Sequence, residues 1–210
     1  SNPEWALRTY SSEPIVFKQA TTERFRLNSD GRLLIGHSGA RVISTTVNPY
    51  LQLEGTDYHQ SSISVTRNTD DAYGSYLILG KSRAASTGGN VILQDNDIIS
   101  EVRFAGSDGN DMVNIAAQIR VEVDGTPQTD QMPGAMIFYT NAGSTSATER
   151  LRITSAGTLI VKGDDDQDNL SVTANNNTEF AVHQDDTDGE VRLRAQDPSG
   201  SNNAKNMTFF

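Results

Sequence analysis

The chain has 210 residues, a net charge of −10, no cysteine and 35% hydrophobic residues. That length suits one or two domains, but the apolar share is low for a compact core, while Gly, Asn, Asp, Ser and Thr are abundant. The acidity weighs against nucleic acid, whose phosphates need a basic face, and against docking on anionic lipid; the lack of cysteine excludes disulfides and thiol chemistry.

Residues 5–10 alternate apolar and other side chains, and residues 14–18 form a short strand. Residues 22–35 read as two strands around a turn, ending at Gly36, and residues 37–49 as a connector. Residues 50–55 are a strand closing on Gly55. Residues 61–67 place Ile63 and Val65 on one strand face, and residues 76–80 are more apolar and predicted to be more buried. Gly88, Gly89 and Asn90 make a turn; in a strand at 99–105, Val102 and Phe104 alternate against Glu101 and Arg103.

The clearest strand covers 112–123, where Val113, Ile115, Ala117, Ile119, Val121 and Val123 alternate with Asn114, Ala116, Gln118, Arg120 and Glu122. This period of two outweighs the helical suggestion of Ala116 and Ala117. Asp124-Gly125-Thr126-Pro127 ends the strand. A strand follows at 135–139, then two strands around a turn at 148–161. After an acidic connector at 164–168, strands are predicted at 169–173, 178–183 and 189–195, and no segment reads as a helix. No apolar run is long enough to span a bilayer, and the start carries no signal-peptide pattern.

Residues 22–35 and 148–161 are near twins, both reading T-E-R-Φ-R-Φ-x-S-x-G-x-L-Φ-Φ with Φ apolar. Alternation puts Phe25 with Leu27, and Leu151 with Ile153, on one face, and the Arg pairs on the other. Gly31 and Gly157 are placed to take positive φ in the turn. Neighbouring segments correspond too: Ile15-Val16-Phe17 with Met136-Ile137-Phe138, and Leu51-Gln52-Leu53 with Leu170-Ser171-Val172. The expected organisation is the end of one module plus a connector at 1–47, a complete module with an insertion at 48–163, and the start of a following module at 164–210. That register predicts a further Glu-Arg hairpin after Phe210. Long alternating strands with so few bulky apolar residues point to a core completed by other chains rather than to disorder.

The repeated Glu-Arg-Φ-Arg-Φ-x-Ser-x-Gly pattern, carried by Glu23, Arg24, Arg26, Ser29 and Gly31 and by Glu149, Arg150, Arg152, Ser155 and Gly157, resembles phage tail fibres and related virion structural proteins, especially of cyanobacterial and marine phages. The resemblance covers most of 12–163 and is weak after 164. It implies an all-β, elongated modular fibre of short antiparallel strands, with β-prism or β-sandwich-like modules in an intertwined homotrimer. Phe25, Leu27, Leu151 and Ile153 would then pack between chains at the axis, and intertwining would protect strand edges. Implied partners are further copies of the chain, other virion tail proteins and host-surface polysaccharide, in a virion that is extracellular when mature.

The candidates for chemistry each have a structural alternative. Glu23, Arg24, Arg26, Glu149, Arg150 and Arg152 are compatible with an acidic sugar, but their repetition favours ion pairs across strands or between chains. The acidic runs at 164–168 and 185–188 fail the EF-hand spacing and read as solvated connectors, and 107–111 reads as a turn. His37, His59 and His183 are scattered, with no second ligand at metal spacing. Tyr58 and Tyr73 lie in polar stretches and are the better-exposed candidates for stacking on glycans. No residues are assigned to catalysis, a cofactor or a metal. The expected role is non-enzymatic: a fibre segment that spaces and presents a host-recognition region. The alternatives are a tailspike-type polysaccharide depolymerase, and a capsid or baseplate decoration protein.

Overall fold

The computed structural model describes residues 7, 9, 12–44 and 47–163, and the backbone of three strands beyond them. Apart from Leu7 and Thr9, the alternating stretch at 5–10 lies outside the described residues, as do the acidic runs at 164–168 and 185–188 and the closing residues 207–210. Every regular element described is a β-strand. The chain divides into two compact units, one of Ser1–Ile78 and Ala105–Ile115, the other of Leu79–Phe104 and Ala116–Phe210.

The first unit holds a sheet ordered β1-β2-β3-β4, with β1 Ile15–Gln19, β2 Thr22–Leu27, β3 Leu33–Ile35 and β4 Leu51–Leu53. The first two pairings are antiparallel, and β3 pairs with β4 in parallel. A parallel neighbour needs a long crossover, which the predicted connector supplies. Gln52, 5% exposed, ties that crossover down. Its Oε1 accepts from the Arg41 N–H (3.0 Å), and its Nε2 lies within 3.1 Å of Arg41 O, Asn48 Oδ1 and Pro49 O. At Gly36, φ is 84° and a Cβ would fall 1.9 Å from Glu54 O, so only glycine lets β3 and the chain after β4 come this close.

The second unit holds all but the adjoining ends of β5 and β6 of a meander ordered β5-β6-β7-β8-β9, with β5 Ile98–Gly106, β6 Asn114–Val123, β7 Gly134–Thr140, β8 Thr148–Ile153 and β9 Leu159–Val161. A separate antiparallel sheet joins β10 Leu170–Thr173, β11 Glu179–Gln184 and β12 Val191–Gln196. Apart from the stretch at 5–10 and the two at 61–67 and 76–80, the predicted strands exist, within one or two residues of their expected ends.

The two T-E-R hairpins share one geometry. In β1–β2 the pairs are Phe17↔Phe25 and Lys18↔Glu23; in β7–β8 they are Phe138↔Leu151 and Tyr139↔Glu149. Each skips one residue, so Arg24 and Arg150 sit in β-bulges. The turns match as well. The N–H of Gly31 donates to Asn28 O (3.0 Å) and that of Gly157 to Thr154 O (2.9 Å), with φ of 77° and 80°. Asn28 Oδ1 and Thr154 Oγ1 each accept a backbone N–H from across the loop.

The bulge corrects the face assignment read from simple alternation. Past the extra residue the strand reverses its facing, so Glu23 shares a face with Arg26, and Glu149 with Arg152, rather than with the apolar pair. Arg24 and Arg150 are not partners of the second Arg on a regular strand face.

Two strand expectations fail. Residues 61–67 and 76–80 form no strand, and the stretch expected to be more buried is open: Leu77 and Ile78 are 80% and 83% exposed. Their alternation has strand character, but a strand also needs a ladder. Among the described residues no backbone–backbone hydrogen bond joins any residue of 61–80. The turn expected at 107–111 is present, with Asp108 Oδ1 accepting from the N–H groups of Asn110 and Asp111.

Among the described residues the buried apolar set is small: Leu34, Leu93, Val123, Ala135 and Ile137. In the second unit Asp97 adds a polar clamp: its carboxylate takes a two-pronged bond from Arg83 (2.6 and 2.8 Å) and the N–H of Gln94 (2.9 Å), with Lys81 Nζ at 3.4 Å. The Arg83 guanidinium, helped by the Gln94 N–H, holds its carboxyl well below the usual carboxylate range. Asp124, bound to the N–H and hydroxyl of Ser155, is also lowered. A depressed folded-state value contributes stability above the unfolded value and loses it as pH falls through the folded one. The urea-unfolding midpoint is therefore expected to be flat near neutral pH and to fall below about pH 4. Asp97→Asn should lower it at pH 7 and flatten the acid fall; an unchanged profile would show that this clamp contributes nothing. Ile137→Ala, at a fully buried site, should cost about 2–5 kcal/mol in the same measurement.

Candidate functional site

The registers line up apolar side chains across each sheet. In the first unit one row is Phe17, Phe25, Ile35 and Leu53, and the next is Ile15, Leu27, Leu33 and Leu51. In the second unit one row is Ile119, Phe138, Leu151 and Val161, and the next is Val121, Met136, Ile153 and Leu159. These rows contain no polar side chain. Phe17 and Phe25 stack with ring centroids 4.2 Å apart.

These faces are half-buried in part and open in part. Leu27 is 40% exposed, Ile153 41%, Leu51 56% and Leu159 61%, and Phe17, Phe25 and Met136 are exposed as well. All four apolar residues singled out from the sequence, Phe25, Leu27, Leu151 and Ile153, lie in these rows, with Leu151 half-buried. The opposite faces hold the buried residues Leu34 and Gln52 in the first unit, and Ala135, Ile137 and Gln118 in the second, whereas on the apolar face of the second unit Val123 at the end of β6 is fully buried. The better-covered face is thus the one that carries the charges.

Those charges are paired. In the second unit Arg152 bonds Glu149 through Nε and Nη2 (both 3.1 Å) and Glu122 through Nη1 (2.7 Å), and Lys162 Nζ lies 2.8 Å from Glu149. The Arg152 guanidinium, outweighing burial, holds the Glu149 carboxyl below its ordinary value with help from Lys162, and Arg152 is raised in turn. Burial opposes ionisation of Glu101, but Arg103 and Arg120 together outweigh it and keep that carboxyl low. Arg120 bonds Glu101 at 2.6 Å and lies 4.9 Å from the ring of Tyr139, whose phenol burial pushes up. In the first unit Arg26 forks onto Glu23 (2.6 and 2.5 Å), and Arg24 donates to Gln19 (2.6 Å). These contacts lie within one chain, along or across strands. Arg150 in its bulge accepts the Lys162 N–H at its carbonyl (2.8 Å).

Tyr58 and Tyr73 are exposed as expected, at 73% and 69%. Each has a local companion: Tyr58 lies 4.1 Å from the His59 ring, and Tyr73 has the Arg67 guanidinium 6.0 Å away. An open cleft of about 290 Å³ is lined by Glu23, Arg24, Gly36, His37 and Ser38. His37 Nδ1 faces Gly39 O at 2.6 Å, and its buried Nε2 has no partner among the described residues. Among the described residues no group of three His, Cys, Asp or Glu side chains is placed to hold a metal. Sequence reading missed Asp97 and Gln52, whose partners lie 14 and 11 residues away in loops. Neither position carries a local pattern that announces it.

No family model matches this chain, and no curated protein does. Solved structures do. The carboxy-terminal domain of the bacteriophage T5 L-shaped tail fibre aligns with a TM-score of 0.57 at 15% identity, over 74% of this chain and 65% of that one. The same domain with its intra-molecular chaperone domain aligns with a TM-score of 0.57 at 15% identity, over 91% of this chain and 52% of that one. The chain spans less than two thirds of either neighbour's length. At this identity the likeness is one of fold: the chain is all-β and built like that tail-fibre domain.

Proposed function

We propose that this chain is a segment of a phage tail fibre, and that it works as a structural element of the virion. Copies associate as a homotrimer, join other tail proteins, and space and present the part that meets the host. The role is mechanical rather than catalytic. The observation that carries this reading is the pair of partly open apolar faces, each built on a hairpin of the same register and each with two rows of side chains that carry no charge. The likeness to the T5 tail-fibre domain supports it independently.

The physics favours self-association. Burying a large apolar side chain contributes about 1.5–3 kcal/mol, and patches of this kind on soluble proteins mark interaction sites. A chain of net charge −10 repels its own copies at long range, so the contact must be short-range and uncharged. The rows satisfy that requirement, while the Glu–Arg ladders stay on the other face, already paired.

In native buffer the protein should have three times the 22.8 kDa mass of one chain, and its unfolding midpoint should rise with protein concentration. Leu27→Asp combined with Ile153→Asp should release single chains. A wild-type protein that is well folded at the single-chain mass would refute the reading. Release of oligosaccharide from host capsule or lipopolysaccharide by the purified protein would overturn the non-enzymatic role.

A further inference from the structure

Between Gly55 and Ser82 the chain makes a long excursion in which every residue of 56–81 is exposed. Its apolar side chains are large: Tyr58, Ile63, Val65, Tyr73, Tyr76, Leu77 and Ile78 are 60 to 83% exposed. The excursion nonetheless has a definite local shape. At its base, Asp57 Oδ1 accepts from the N–H groups of His59 (2.9 Å) and Gln60 (3.1 Å), and the Ser61 hydroxyl donates to Asp57 O (2.8 Å). At its tip, Arg67 pairs with Asp71 (2.5 Å), which also accepts the Tyr73 N–H (2.9 Å). The Ser75 hydroxyl donates to Val65 O (2.9 Å), which sets the outgoing and returning legs side by side.

What is missing is a ladder. Between the legs no backbone–backbone hydrogen bond is formed among the described residues. Yet the legs are strand-like in sequence. Ile63 and Val65 share one face of the outgoing leg; on the returning leg Tyr76 and Ile78 alternate with Leu77 and Leu79, so it is apolar on both faces. A strand of that kind is found where both faces are covered. Water can satisfy the open backbone groups, but it does nothing to offset the exposed apolar surface.

The chemistry of the legs selects the partner. Residues 58–66 and 74–80 include no Asp, Glu, Lys or Arg. An uncharged segment is what another strongly acidic chain can approach without like-charge repulsion. Seven side chains of this size offer roughly 1,000 Å², comparable to one partner's share of a standard protein interface. A sugar would stack on the tyrosines but would leave Ile63, Val65, Leu77 and Ile78 uncovered.

We propose that residues 57–79 are an exchange arm, which forms paired strands only against a second copy of this chain and is covered there on both faces. The inference rests on the self-association reading above and adds which segment passes between copies. Two measurements test it. The first uses the unmodified protein: among the described residues, the amides of 61–66 and 75–80 have no hydrogen-bond partner within the chain. Their hydrogen exchange should be slowed at least about 100-fold relative to free peptides; exchange at the free-peptide rate would overturn the arm. Separately, Ile63→Cys and Leu77→Cys, each coupled to a benzophenone maleimide, should give chain-to-chain adducts on irradiation, whereas Thr145→Cys should give none. Adducts confined to one chain, in a sample of three-chain native mass, would overturn the arm and leave the trimer standing. A single-chain native mass would remove both.

Discussion

The constraint on which the structure turns is a pair of apolar sheet faces that the described residues leave partly uncovered. A sheet buries one face against another layer. In the second unit the face with the better cover carries Arg152, Glu122, Glu149, Arg120 and Glu101, while the apolar face is half-buried at its centre and open at Met136, Ile153 and Leu159. A monomeric domain would be arranged the other way. Among the described residues the buried apolar set is small for a chain of this length, which is the deficit the proposed association of chains would make up.

The bulges at Arg24 and Arg150 make that division of faces possible. In an unbroken strand Glu23 would lie on the face of Phe25 and Leu27, and Glu149 on that of Leu151 and Ile153. One inserted residue turns each glutamate onto the opposite face, where Arg26 or Arg152 meets it. Each apolar row is thereby cleared of charge, and each carboxylate gains the guanidinium that keeps it ionised. The bulge, the ladder of ion pairs and the open face are parts of one arrangement. The same geometry recurs in both units because the same short sequence builds it.

The hairpins were legible because their signals are local. Period-two alternation set the strands, and a glycine after Ser29-Asp30 or Ser155-Ala156 set the turns. The bulges were hidden because T-E-R-Φ-R also reads as plain alternation, and only the pairing with β1 or β7 shows which residue is extra. Residues 61–67 and 76–80 were misread for a different reason. Their composition is that of strands, but strand formation is a property of a pair, and no partner strand for them lies among the described residues. Gln52 and Asp97 were invisible because their partners are set by loop closure rather than by spacing. Composition set an expectation that motifs could not: few bulky residues and strong alternation point to a core completed by other chains, which is the part the proposed function carries forward.

The central claim concerns whether the open rows are covered in the native protein, and thiol accessibility reads that directly, because the chain has no cysteine of its own. Leu27→Cys and Ile153→Cys, placed in the two rows, should react with a maleimide at least about 100-fold more slowly than Thr145→Cys in an exposed loop, and should react as fast as the control after denaturation. Equal rates at all three sites in the native protein would contradict the account.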